Sequence, residues 1–297
     1  MVLKVDQSLR DYIYSLIQRK IDDEFDFLKG FKVFFNPEFK PPKEDIYFRV
    51  SQLTGCLRKE WFRNKGYKQV KTPDDIITLT TGTLWHSFIQ MVMEDSLVDF
   101  EKELTLQLST GHKLIGHYDG IMDFQGKRVL LEFKTASVQS HKYLLKELAF
   151  TERTGKVNFG TTLYRYLLQD NTYYKMLLEA EGKNAEGIWI VMIYKSATKD
   201  IPYLFSFYTE YEPEFAEVLI RKAKAVDLYL KEDKIPPPTK EMWECRYCGY
   251  INCPLNPRYK KGGEKDEGVP DNAKKDSGIM ENNAETNIEK DSRPNRS

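Results

Sequence analysis

The chain has 297 residues, and its 45 Lys and Arg are balanced by 45 Asp and Glu, so the formal net charge at pH 7 is zero. This balance excludes a histone-like or strand-coating protein with a global positive field, and any nucleic-acid contact must come from a local patch. Aromatic residues make up 13% of the chain, which is ample for one large core and also for base stacking.

No apolar run approaches the ~18 residues that a membrane-spanning helix needs, and residues 1–10 carry no hydrophobic signal region. We therefore expect a cytoplasmic protein with no membrane partner. From residue 257 onward, charged and small polar residues dominate and no hydrophobic period of 2 or 3.6 survives. This composition predicts a disordered charged tail over residues 257–297.

Apolar spacing predicts three helices in the first third of the chain. The first covers residues 7–28. The second runs from Ser51 to Asn64 and mixes basic with aromatic side chains, which suits a DNA backbone and equally suits a charged outer face around a buried Trp. The third begins near Gly82 and is apolar around His86, which by itself indicates a core histidine more often than a ligand. The basic residues predicted to bind DNA are Arg58, Lys59 and Arg63.

Strand and helix patterns alternate through the rest of the folded chain. Strands are predicted at 104–108, 114–124, 128–134, 187–194 and 203–208, and helices at 164–180 and 213–231. A tight turn at 125–127 joins two of these strands in a hairpin. The basic and aromatic stretch at 137–162 is either a lid that contacts DNA or a solvated helical insertion. The predicted fold class is α/β, with a mixed central sheet flanked by helices.

The hairpin carries a group of charged residues. Because strand side chains alternate, Glu132 and Lys134 share one face, and Asp119 on the facing strand is close enough to meet Glu132. Two carboxylates ~4 Å apart repel by roughly 4 kcal/mol at an effective dielectric constant of about 20, so the site needs a cation or a proton. Mg²⁺ prefers such oxygen ligands, and Lys134 is suited to hold an attacking water or to stabilise phosphate charge.

Four cysteines form a second group with metal-ligand spacing. Three are spaced C-x2-C-x4-C, and the fourth lies far upstream. Four thiolates suit either tetrahedral zinc or an iron-sulfur cluster, and the spacing alone favours zinc because the trio resembles half of a zinc ribbon. Gathering them would join the beginning and the end of a domain. The residues are Cys56, Cys245, Cys248 and Cys253.

Together, these motifs resemble the RecB-type branch of the PD-(D/E)XK nuclease superfamily, and within it most of all the iron-sulfur exonucleases associated with CRISPR adaptation. The Pro-Asp of the superfamily is absent because Tyr118 precedes Asp119, but Gly116 satisfies the Gly-x-x-Asp form of this branch. In order, the motifs are His86, Gly116-x-x-Asp119, Glu132-x-Lys134-Thr135 and Gln169-x-x-x-Tyr173, enclosed by the cysteines.

The resemblance implies a role for each motif residue. Catalytic divalent metals, Mg²⁺ or Mn²⁺, would be bound by His86, Asp119, Glu132 and the backbone carbonyl of Phe133. Lys134 would orient the nucleophilic water. Gln169 and Tyr173 would face the site and contact DNA or support the lysine, and the four cysteines would hold a 4Fe-4S cluster that closes a restriction-endonuclease-like core.

The implied function is a DNA exonuclease that degrades single-stranded DNA, with the 5′ to 3′ direction favoured and endonuclease activity besides. Its setting would be CRISPR adaptation, repair or viral DNA metabolism, with the CRISPR integrase or other recombination proteins as partners, or a homo-oligomer. The resulting domains are a helical extension (1–45), the nuclease domain (46–256) and the tail. The alternative function is a non-catalytic four-cysteine zinc or iron-sulfur subunit that binds nucleic acid within a repair or integration complex.

Overall fold

The computed structural model describes residues 3–22, 46–182, 185–198, 200–239 and 243–257. The predicted tail from residue 258 onward, and the end of the first predicted helix beyond residue 22, lie outside these ranges. None of the described helices is both long and apolar enough to cross a membrane.

Two sheets run through the described part of the chain. The larger has the strand order β1-β9-β8-β7-β6-β3, in which β7 and β8 are parallel and the other neighbours are antiparallel. The smaller has the order β2-β5-β4. The strands are β1 (Leu3–Val5), β2 (Tyr47–Arg49), β3 (Leu97–Phe100), β4 (Glu103–Gln107), β5 (Lys113–His117), β6 (Gly120–Phe124), β7 (Lys127–Ala136), β8 (Ile188–Tyr194) and β9 (Leu204–Thr209).

Helices cover both faces of the larger sheet, so the predicted mixed α/β architecture is confirmed. On one face, α1 and the second half of α4 pack on Val129 and Phe133; on the other, α6 and α7 form the core with Leu130. The helices are α1 (Ser8–Asp22), α2 (Val50–Leu53), α3 (Leu57–Asn64), α4 (Pro73–Met93), α5 (Val138–Thr154), α6 (Thr162–Glu181), α7 (Pro213–Lys231) and α8 (Trp243–Arg246).

Two helix starts differ from prediction. The third predicted helix, α4, begins at Pro73 rather than near Gly82, because Thr72 and Asp75 form a capping box. Its first turns are mostly exposed and rich in Thr, so they lack the apolar period from which the prediction was made. The second predicted helix is divided into α2 and α3, and Cys56 occupies the N-cap position of α3, so Ser51 caps nothing.

The predicted strand over 114–124 is also wrong, because it is two strands in different sheets. β5 ends at His117 in the smaller sheet, and β6 begins at Gly120 in the larger one. Tyr118 and Asp119 form the link, and Tyr118 is fully buried. Because the chain crosses from one sheet to the other here, Asp119 directly precedes β6 and its side chain points towards the neighbouring β7.

Candidate active site

Asp119 is held against the middle of β7. Gly120 pairs with Leu131 in the antiparallel register, so Asp119 comes opposite Glu132. Asp119 Oδ2 accepts a hydrogen bond of 2.6 Å from the backbone N–H of Phe133. The hairpin therefore brings the two predicted carboxylates together, as the alternation along the strand indicated.

His86 reaches the same carboxylate from α4. Its Nδ1 lies 3.4 Å from Asp119 Oδ1, and its ring meets the Phe133 ring edge-on at a centroid distance of 6.2 Å. The His86 side chain is 28% exposed and that of Asp119 is 14% exposed, so this side of the group faces solvent. The His86 side chain is therefore partly accessible on α4, so a ligand or substrate can approach it.

A hydrogen-bonded chain of side chains leads inward from Glu132. Lys134 Nζ donates to Glu132 Oε1 over 2.5 Å, and Gln169 Nε2 donates to the same oxygen over 2.8 Å. Gln169 Nε2 also lies 3.1 Å from the Tyr173 hydroxyl. The other carboxylate oxygen, Glu132 Oε2, is buried without a hydrogen-bond partner. One oxygen of Glu132 is thus fixed by two donors and the second remains available to a cation.

Asp170 belongs to the same group and was missed by the sequence analysis. It is fully buried, its Oδ1 lies 3.8 Å from Lys134 Nζ, and neither of its oxygens has a hydrogen-bond partner. The Lys134 ammonium also lies 5.3 Å from the centre of the Tyr166 ring. Helical spacing could have found both residues, because Tyr166, Gln169, Asp170 and Tyr173 fall at i, i+3, i+4 and i+7 on one face of α6.

Burial and mutual repulsion shift the protonation of this group. Burial, then the nearby charge of Asp119, raises the pKa of Glu132, and burial raises the pKa of Asp170 to about 7. Burial alone would lower the pKa of Lys134, but the charges of Glu132 and Asp170 outweigh it and raise that pKa. When ionised, three carboxylates and one ammonium carry a net charge of −3 + 1 = −2. A divalent cation would neutralise that charge.

The donor set fits such a cation. Two carboxylates and an imidazole are ligands that Mg²⁺ or Mn²⁺ accepts, and the unpaired Glu132 Oε2 is the kind of buried atom that a cation would satisfy. Within the described ranges, no three His, Cys, Asp or Glu side chains already stand in a metal-binding arrangement.

The sequence also matches a known protein family. The family model of the PD-(D/E)XK nuclease superfamily matches residues 49–253, which is more than half of the chain. This chain belongs to the PD-(D/E)XK nuclease superfamily. The matched region includes every motif residue described above.

One solved structure shows the same fold at low sequence identity. The protein SSO0001 superposes with a TM-score of 0.50 at 19% identity, covering 76% of this chain and 95% of that one. An alkaline exonuclease from Laribacter hongkongensis gives a TM-score of 0.40 at 14% identity, covering 63% of this chain and 89% of its own. No functionally curated protein matches the sequence.

The predicted DNA-binding side chains have partners within this nuclease chain. Lys59 pairs with Glu244 at 3.0 Å, and Arg63 pairs with Glu60 at 2.7 Å. Arg58 donates to the Pro236 carbonyl and lies 3.6 Å from Cys253 Sγ. Tyr173 is only 4% exposed. In this arrangement Tyr173 supports Gln169 from a buried position. Arg58 and Lys59 lie beside the cysteines, whereas Arg63 does not line their cavity.

All four cysteines line one small cavity, together with Arg58 and Lys59. Burial, then the charges of the other three thiols, raises the pKa of Cys245. The chain therefore brings Cys56 to the same cavity as the C-terminal trio. Within the described part of the chain, these side chains do not form a metal-binding arrangement.

Glu244 joins the cysteine cavity to α6. Its buried carboxylate bonds to Lys59 at 3.0 Å and to Arg165 at 2.6 Å, and it accepts from the Cys56 backbone N–H at 3.3 Å. Gly55 leaves room for it, since an added Cβ would lie 2.6 Å from Glu244 Oε2. Arg165 lies one turn before Gln169 on α6. The cysteine region is thereby tied to the helix that positions Glu132.

Proposed function

We propose that this chain is a Mg²⁺- or Mn²⁺-dependent DNA nuclease, acting mainly on single-stranded DNA from the 5′ end, with endonuclease activity besides. The observation that supports it most is the convergence of His86, Asp119, Glu132 and Lys134 beside the middle of β7. Each motif residue of the superfamily is present and in reach of the next. A protein that only bound DNA would have no need of this buried, repulsive set of charges.

The residues suggest a division of labour. His86, Asp119, Glu132 and the Phe133 carbonyl would hold the metal, which when bound activates water and neutralises charge on the phosphate oxygens. Lys134 orients the attacking water and stabilises charge on the scissile phosphate. Gln169 fixes the Glu132 carboxylate, and Tyr173 fixes Gln169. Asp170 and the Tyr166 ring hold the Lys134 ammonium in place from the protein side.

The test is a cleavage assay with the purified full chain on end-labelled single and double strands. We expect cleavage with Mg²⁺ or Mn²⁺ and none with excess chelator. A 5′-labelled single strand should release its label early as a very short product, whereas a 3′-labelled strand should shorten progressively. DNA binding without metal-dependent cleavage would contradict the proposal and favour the non-catalytic subunit.

We further propose that the four cysteines hold a 4Fe-4S cluster, with zinc as the rival. The support is their common cavity and the Arg58 guanidinium beside Cys253 Sγ, since such donors stabilise sulfur charge. Protein purified without oxygen should be brown, contain acid-labile sulfide and lose its broad visible absorption in Cys248→Ser. Colourless protein with one bound zinc would contradict the cluster while leaving the nuclease proposal intact.

The domain boundaries and biological setting are proposals of the same kind. Residues 46–256 would form the nuclease domain, acting in the cytoplasm in CRISPR adaptation, repair or viral DNA metabolism. The partners would be the CRISPR integrase, another recombination protein or further copies of this chain. Within residues 3–22, β1 pairs with β9 and α1 packs on α4. This part of the N-terminal extension is therefore built into the core.

A further inference from the structure

Large side chains cluster on the exposed side of α8, next to the cysteines. Trp243 and Arg246 are the first and last residues of α8, and Tyr247 follows in a turn closed by its N–H bond to the Glu244 carbonyl. The spacing i, i+3 and i+4 brings the three side chains near one face. Trp243 is 50% exposed, Tyr247 is 73% exposed, and Arg246 is exposed between them. We call these three residues the α8 face. Grouped exposed aromatic residues mark an interaction surface more often than isolated ones do.

The charged groups that contact Trp243 or pair with Glu244 are cations. The Arg165 guanidinium lies 4.6 Å from the centre of the Trp243 ring. The buried Glu244 carboxylate is outnumbered by its two cations, Lys59 and Arg165, and Arg246 adds a third. The set therefore carries −1 + 3 = +2 beside two accessible aromatic rings. Accessible rings between cations match a ligand with flat π faces and a phosphate backbone.

The α8 face is also placed close to the candidate active site. Arg165, which stacks on Trp243, precedes Gln169 by one turn of α6, a rise of about 6 Å. Gln169 in turn donates to Glu132. A strand whose scissile phosphate lay at Glu132 would need only a short further length to reach Trp243. Paired DNA hides its base faces, so only a single strand could use both the rings and the arginine.

We propose that the α8 face is a stacking platform for single-stranded DNA, on which Trp243 and Tyr247 each receive a base and Arg246 contacts the backbone. This inference rests on the proposed nuclease function and names the residues that select an unpaired strand. It assigns them to substrate binding and gives them no part in the bond-breaking step.

Binding is best measured in metal-free protein, where nothing is cleaved. Fluorescence anisotropy of labelled oligo(dT) in chelator should show that Trp243→Ala and Tyr247→Ala each weaken binding about tenfold, and the double variant up to about a hundredfold. Trp243→Phe should retain most of the affinity because a ring remains. Arg246→Gln should reduce the slope of log K against log salt concentration by about 0.7, the value for one phosphate contact on a single strand. The matched control is Tyr203→Ala, since Tyr203 is 46% exposed near Trp85, and its binding should be unchanged.

Hydrolysis of a small phosphodiester, bis(p-nitrophenyl) phosphate, separates this inference from the proposed function. We expect the double variant to hydrolyse it with metal at the wild-type rate while failing to retain oligo(dT). An affinity for oligo(dT) within twofold of wild type in the double variant would overturn the stacking platform, whatever the hydrolysis rate. Equal weakening by Tyr203→Ala would overturn it too. If wild-type protein showed no metal-dependent hydrolysis, the proposed nuclease function would be wrong. The oligo(dT) affinities of the variants would still test the stacking platform.

Discussion

Replacing Lys134 by Met should reduce the rate of DNA cleavage by about 100- to 1000-fold, the usual effect of removing one group that stabilises transition-state charge. Met preserves the length and apolar stem of the side chain but cannot orient a water or neutralise a phosphate. Glu132→Gln should cost at least as much, because it removes both the proposed metal ligand and the acceptor of Lys134 and Gln169. The measurement is single-turnover cleavage of a labelled strand with saturating Mg²⁺.

The controls separate chemistry from folding. Met at position 134 leaves Glu132 and Asp170 without their shared cation, and breaking a buried pair costs about 3–5 kcal/mol of folding stability. Lys134→Arg keeps the charge and should fold, yet remain slow because the planar guanidinium cannot replace a compact ammonium. Lys175→Met removes ion pairs with the half-exposed Glu179 and Glu217, away from β7, and should cleave normally. Wild-type rates in folded Lys134→Met would remove Lys134 from the mechanism.

The sequence predicted the charged group well because it lies on a short, strongly patterned segment. Alternation along β7 correctly placed Glu132 and Lys134 on one face, and the tight turn correctly brought Asp119 across from them. The boundaries of α7 at 213–231 were also correct, since Pro213 and a regular apolar stripe define it. Local rules suffice where both partners are near in sequence.

What escaped prediction depends on contacts between distant segments. Asp170 follows Gln169 in an otherwise ordinary amphipathic helix, and only the packing of α6 on β7 shows that its carboxylate is buried beside Lys134. The role of the basic residues on α3 was open for the same reason. Glu244 lies 185 residues from Lys59 along the chain, so no local sequence pattern predicts that ion pair.

The link through Glu244 gives the cysteine region a defined influence on the nuclease site. Glu244 bonds to the Cys56 backbone and to Arg165, and Arg165 precedes Gln169 by one turn. A change at the cysteine cavity would therefore reach the start of α6 through Arg165, without direct contact with the strand that carries Glu132. Such a defect would act on the positioning of Gln169 and leave the metal ligands in place.

Asp170→Asn should stabilise the metal-free protein and slow catalysis at the same time. Asp170 is fully buried with no hydrogen-bond partner, and its raised pKa means that its ionised form opposes folding. The unfolded carboxyl loses its proton near its usual pKa and the folded one only near 7, so the penalty grows as pH rises between these values. We expect the variant to gain about 1–3 kcal/mol of unfolding free energy at pH 8 and almost nothing at pH 4.

The same substitution should lower the cleavage rate about tenfold, because the Lys134 ammonium loses the second carboxylate that holds it when Glu132 engages a metal. The stabilisation that metal binding gives should shrink too, since less repulsion remains to be relieved. The matched control is Asp227→Asn. Asp227 is equally buried but is paired with His112 at 2.5 Å and Lys231 at 3.0 Å, so its loss should destabilise the protein. The measurement is thermal unfolding of both variants in chelator. If Asp170→Asn lost stability as Asp227→Asn does, Asp170 would be an ordinary structural partner. A gain in stability for Asp170→Asn beside a loss for Asp227→Asn would identify a carboxylate kept for the reaction at a cost in stability.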